Sequence, residues 1–138
     1  MTSPDQPISD NTRKLLKEAR GRLLRLHKVL LDRERANYEK EHGRVDRSHD
    51  LLQLVINHEQ FAWLHALSEL VVRIDEMLDM DEPITESDGS ALLDEVSQLL
   101  RPTEEGTGFG KKYYDALQDD PDIVLAHADI VKLLAAKP

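Results

Sequence analysis

Few side chains in this sequence stand at spacings that support chemistry. Glu39-x-x-His42 and His65-x-x-x-Glu69 each set a carboxylate and an imidazole on one helix face. Metal centres inside helical bundles use Glu-x-x-His twice, from different helices, with two further Glu. One copy just before Gly43, with no His-x-x-x-His pair, assigns no metal; His65 with Glu69 reads as an ordinary i,i+4 pair. The absence of cysteine removes thiol nucleophiles, thiolate ligands and disulfides. No nucleophile set emerges, so no catalytic residue and no cofactor is assigned.

Two further groupings carry a chemical reading beside a plain one. His58, Phe61, His65, Ser68, Val72 and Asp75 lie on one line of a helix, and Leu24, His27, Leu31, Glu34 and Tyr38 on a line of an earlier one. If the lines meet, His27, Glu34, His65 and Glu69 form a polar pocket of acids, bases or ligand anchors. If they do not, the line from His58 to Asp75 faces solvent or a helix rim. The loop Gly106-x-Gly108-x-Gly110-Lys111-Lys112 opens a helix without Walker A or dinucleotide spacing and without a preceding strand. Lys111 and Lys112 with the loop N–H groups offer an anion contact; the plain reading is a loop that uses glycine for its conformation.

The helices that must position these groups differ sharply in charge. The chain carries −9 overall, divided as −2 over residues 1–10, +6 over 11–47 and −13 over 48–138. From Arg13 to Lys28, seven of 16 residues are basic and only Glu18 is acidic. The plain reading neutralises this basic helix against acidic neighbours in one bundle. The sharper reading gives it an external protein partner or a second copy, with Arg13, Lys17, Arg20 and the lone Trp63 as contacts. Nucleic acid is disfavoured, because the remaining chain is acidic and no aromatic side chain interleaves with the basic ones to stack bases.

With 138 residues, the chain has the length of one domain. It holds 22 Leu against 14 Ile plus Val, which favours helix, and enough apolar residues to bury a core. The spacing predicts a helix from a cap at Ser9, Asp10 or Asn11 to about His42, its core stripe being Leu16, Ala19, Leu23, Leu26 and Leu30. Residues 51–56 fit a short helix or a strand, and the lack of a partner strand favours helix. Asn57 and Gln60 form a capping box before a helix from His58 to about Met80, apolar on two sides and so expected at the centre. Thr85 caps the next helix, which ends before Pro102; a short helix spans about 111–118, and Asp120-Pro121 starts the last.

The fold expected is all-α, an antiparallel bundle of four to five helices without a sheet. Residues 1–8 form a flexible arm and 9–138 one domain. The opening residues lack the basic and apolar regions of a secretory signal, and no apolar run approaches the ~20 residues of a bilayer span. A cytoplasmic protein with no membrane contact is expected.

Leu26-His27-Lys28, Phe61-Ala62-Trp63-Leu64, Ile74-Asp75-Glu76 and Asp120-Pro121-Asp122 with Ala126-His127 resemble a group of uncharacterised bacterial helical proteins. The resemblance runs over roughly residues 23–135. It implies a bacterial helical domain and brings no activity, cofactor or site residue with it. With no nucleophile set, no metal constellation and a long charged helix able to meet a partner, the residues favour a non-catalytic interaction or regulatory domain, the alternative being a small ligand binder or enzyme using the pocket of His27, Glu34, His65 and Glu69.

Overall fold

Helix boundaries follow from where the backbone runs out of internal partners. A computed structural model describes residues 6–79 and 83–135. α1 (Asp10–His42) starts at Ser9, whose Oγ accepts from the Thr12 N–H at 3.0 Å. It ends at Gly43, where φ is 88°, a conformation that favours glycine; the Gly43 N–H reaches the Glu39 carbonyl at 3.0 Å. Leu16, Ala19, Leu23, Leu26 and Leu30 are wholly buried, as their three-and-four spacing predicts.

After Gly43 comes α2 (Ser48–Asn57), a helix with no buried residue. A 3₁₀ segment (Glu59–Leu64) then leads into α3 (His65–Leu78). Two expectations change here. The cap is His58, whose Nδ1 accepts from the Gln60 N–H at 3.1 Å, while Asn57 instead donates to Gln53 Oε1 at 3.1 Å. The first turns are 3₁₀ rather than α, and their tighter winding brings Phe61 and Leu64 onto the same buried side as Leu67, Leu70, Val71 and Ile74. Met80, the expected end, lies outside the described residues.

α4 (Glu86–Leu99) is capped by Thr85, whose Oγ1 accepts from the Asp88 N–H at 3.1 Å. α5 (Phe109–Asp119) and α6 (Pro121–Ala135) meet at Asp120, whose carboxylate accepts from the Asp122 N–H at 2.9 Å. The described residues thus hold six α-helices and a 3₁₀ segment, where four to five helices were expected. α1 is the shared wall: it packs against α3, α4, α6 and the 3₁₀ segment, a position expected of the helix after His58. None of these helices is long and apolar enough to cross a membrane.

Residues 6–8 of the expected flexible arm are held. Ile8 N–H donates to the Ile84 carbonyl at 2.9 Å and Glu86 N–H to the Gln6 carbonyl at 2.7 Å, around an isolated bridge between Pro7 and Thr85. Ile8 and Thr12 lie so close to Gly89 that a Cβ there would sit 2.9 Å from Ile8 Cδ1 and 3.1 Å from Thr12 Cγ2. Residues 1–5 lie outside the described residues.

Candidate functional site

The basic residues of α1 divide by direction. On the side facing other helices, Arg20 Nη1 meets Asp75 of α3 at 2.6 Å and Arg22 Nη1 meets Asp129 of α6 at 3.1 Å. Arg33 Nη2 meets Asp119 of α5 at 2.5 Å, and its Nη1 meets Glu34 at 2.8 Å. On the other side, Lys14, Lys17 and Arg25 are exposed, Arg13 is half-buried, and none of them makes an ion pair among the described residues. Lys28 pairs with Asp32, one turn along the same helix, at 3.3 Å. Between these cations Leu24 is 51% exposed, and a Cβ at Gly21 would meet nothing within 4 Å. The outer face is therefore an uncovered stripe of positive charge with an apolar residue in it.

Of the expected partner contacts, Arg13 and Lys17 belong to this uncovered side. Arg20 is engaged by Asp75. Trp63 is part of another surface, tilted against Phe109 at 5.2 Å in a groove that also takes in Lys112.

The two lines of the pocket reading do come together, because α1 and α3 pack side by side. His27 is half-buried, and burial, with the neighbouring His65 second, holds its pKa below the ordinary value. His65 Nε2–H donates to the Val55 carbonyl at 2.8 Å. Glu34 is 6% exposed and fully engaged: Oε1 accepts from Arg33 Nη1 at 2.8 Å and Oε2 from Gln60 Nε2 at 3.1 Å. Glu69 stands apart, in a groove between α3 and α4 with Arg73 and Glu95. The structure gathers His27 with His65 and leaves Glu69 elsewhere. Glu34 ties α1 to the 3₁₀ segment through Gln60, and His65 ties α3 to α2 through the Val55 carbonyl.

Lys111 is held by Asp115 at 2.8 Å and lies 5.5 Å from the Tyr114 ring centre; the hydrogen bond to Asp115 raises its pKa. Lys112 is exposed. The glycine loop closes on itself, with Thr103 N–H donating to the Gly110 carbonyl at 3.0 Å. A Cβ on Gly110 would come within 2.8 Å of Thr103 Oγ1 and 3.2 Å of the Arg101 carbonyl, so close approach explains this glycine. Glu39 of the Glu-x-x-His spacing is engaged by Arg35 at 3.1 Å and by the Val45 N–H at 3.1 Å. Among the described residues no three His, Asp or Glu are grouped to hold a metal ion.

Two clefts were not foreseen from the sequence. One, of about 420 Å³, opens where α1 ends, between Tyr38, His42, Val45, Gln53, Asn57 and His58. Tyr38 packs on His42 at 4.5 Å and edge-on to His58 at 5.2 Å. The other, of about 390 Å³, lies between α4 and α6. Behind it, the wholly buried Tyr113 of α5 makes a 2.6 Å hydrogen bond from its hydroxyl to His127 Nδ1 of α6. Burial raises the Tyr113 pKa and lowers that of His127, favouring the neutral form of each. A signal for this pair exists in the sequence: both residues stand seven positions from Asp120, where the helical hairpin turns.

Compared with known proteins, the chain matches no family model, no curated protein and no solved structure.

Proposed function

We propose that this chain is a non-catalytic interaction domain that docks on an acidic protein surface through the outer face of α1. The observation that carries this reading is the uncovered stripe of Lys14, Lys17 and Arg25 around the exposed Leu24. A cationic rim around an apolar contact suits a partner with acidic side chains around an apolar one. Screening over ~10 Å at 0.1 M salt confines the opposing −9 of the whole chain, so the local sign governs the encounter. The reading includes an antiparallel bundle, since partner numbers fall as α1 ascends: from Asp75 of α3 (with Arg20) to Gln60 of the preceding 3₁₀ segment (with Glu34), and from Asp129 of α6 (with Arg22) to Asp119 of the preceding α5 (with Arg33). It also includes a cytoplasmic setting and the bacterial family resemblance. The alternative of a ligand pocket between α1 and α3 has less support, because Glu69 lies in a different groove and Glu34 is fully engaged.

The test is binding of a labelled polyglutamate peptide, followed by fluorescence anisotropy at low and physiological salt. Binding that weakens with salt, and is lost in the Lys14→Glu, Lys17→Glu, Arg25→Glu variant, is the expected result. Unaltered binding by the variant, or stronger binding of duplex DNA than of the peptide, overturns the reading. Light scattering on the same samples tells whether the acidic surface is that of a second copy.

A further inference from the structure

The cleft between α4 and α6 has the parts of a small-molecule site, and none of them serves the outer face of α1. Its walls are mostly apolar, from Leu100, Pro102, Val131 and Leu134. Its polar groups are Ser97, Arg101 and His127. At about 390 Å³ it falls near the small end of the ~300–1,000 Å³ usual for ligand pockets.

The orientation of His127 is set from behind. Tyr113 is wholly buried, and donating to His127 Nδ1 is what keeps its hydroxyl hydrogen paired. With Nδ1 accepting, the neutral imidazole carries its proton on Nε2, and His127 lines the cleft. Arg101 is exposed at the same cleft and makes no ion pair among the described residues. A fixed N–H and an unpaired guanidinium beside an apolar wall favour an anion with an apolar tail.

We propose that the α4–α6 cleft binds a small carboxylate with an apolar chain or ring, the carboxylate at Arg101 and His127 and the apolar part against Leu100, Val131 and Leu134. Arg101 supplies charge and a forked pair of donors. His127 supplies a donor whose direction Tyr113 holds.

The experiment titrates the whole chain with octanoate, and in parallel with octan-1-ol, following amide shifts by NMR. Expected are shifts confined to α4, residues 100–102 and α6, with octanoate binding about tenfold or more tightly than the alcohol, the worth of a charge-assisted hydrogen bond. Arg101→Ala, at an exposed position, removes the preference for octanoate. Val131→Phe, at a half-exposed position, fills the cleft and weakens both probes. Equal binding of octanoate and octanol, unchanged binding by Arg101→Ala, or no shifts at millimolar octanoate each overturn the proposal.

Discussion

The inner and outer flanks of α1 carry like charges and put them to opposite uses. Inside, Arg20, Arg22 and Arg33 bridge to Asp75, Asp129 and Asp119 on three other helices. Outside, Lys14, Lys17 and Arg25 meet no acid among the described residues. The bridges between helices named here use arginine, as does Arg73 with Glu95, whereas Lys28 and Lys111 pair one turn along their own helices. A guanidinium is weakly hydrated and presents donors in a fixed fork, so it holds a geometry at a helix seam; an ammonium keeps its water. Arginine is thus the residue that crosses the seams, although Arg25 on the outer flank shows that its position on the helix, and not its type alone, decides whether it does. The +6 of residues 11–47 is partly neutralised within the chain and partly left for something else.

The comparison breaks first at the core. Leu26→Ala, on the buried side, should cost ~2–5 kcal/mol in urea unfolding, while Leu24→Ala should stay within ~0.5 kcal/mol. If the two cost the same, the division of α1 into flanks is wrong. Glu34→Ala comes next: it frees Gln60 and one arm of Arg33 in a half-closed seam, for ~1–3 kcal/mol, with Asp119 still holding the other arm. An unchanged urea midpoint would show that the seam does not depend on its carboxylate.

Acidification comes third. His27 and His127 have pKa values lowered from 6.5, each chiefly by burial. Below 6.5 the unfolded chain therefore takes up protons that the folded one refuses, and stability falls as pH drops through that window. Replacing both by Gln should flatten this dependence; an identical slope in the double variant refutes the assignment. A smaller effect should come from Arg20→Lys with Arg22→Lys, up to ~1 kcal/mol per site, since both pairs are partly solvated. Charge reversal at Lys14, Lys17 and Arg25 should leave stability within ~0.5 kcal/mol while abolishing peptide binding.

Local chemistry explains how much of this was legible beforehand. Ser9 and Gly43, Thr85, and Asp120 with Pro121 mark helix ends because capping needs only a few adjacent residues. At 57–64 the same reasoning misplaced the cap by one residue, because an imidazole nitrogen took the role given to an amide and the first turns wound as 3₁₀. The docking of residues 6–8 on 84–86 was invisible, being a pairing across more than seventy residues. The site divided in the same way. That Arg13 to Lys28 is basic is plain in the sequence, but which cations face Asp75 and Asp129 depends on how three helices pack. Tyr113 and His127 were passed over because each alone looks like a core aromatic or a surface histidine; only the hairpin joins them.

The position of α1 as shared wall has a consequence for synthesis. Its apolar stripe is complete once residue 42 has been made, yet α6, which covers one side of it, ends at Ala135. At roughly 5–20 residues per second, ~5–20 s separate the two events on the ribosome. Through that interval the stripe of Leu16, Leu23, Leu26 and Leu30 lacks one of its covers on a nascent chain whose early part is strongly cationic. The exposed Lys14 and Lys17 then serve first to keep an unfinished helix in water.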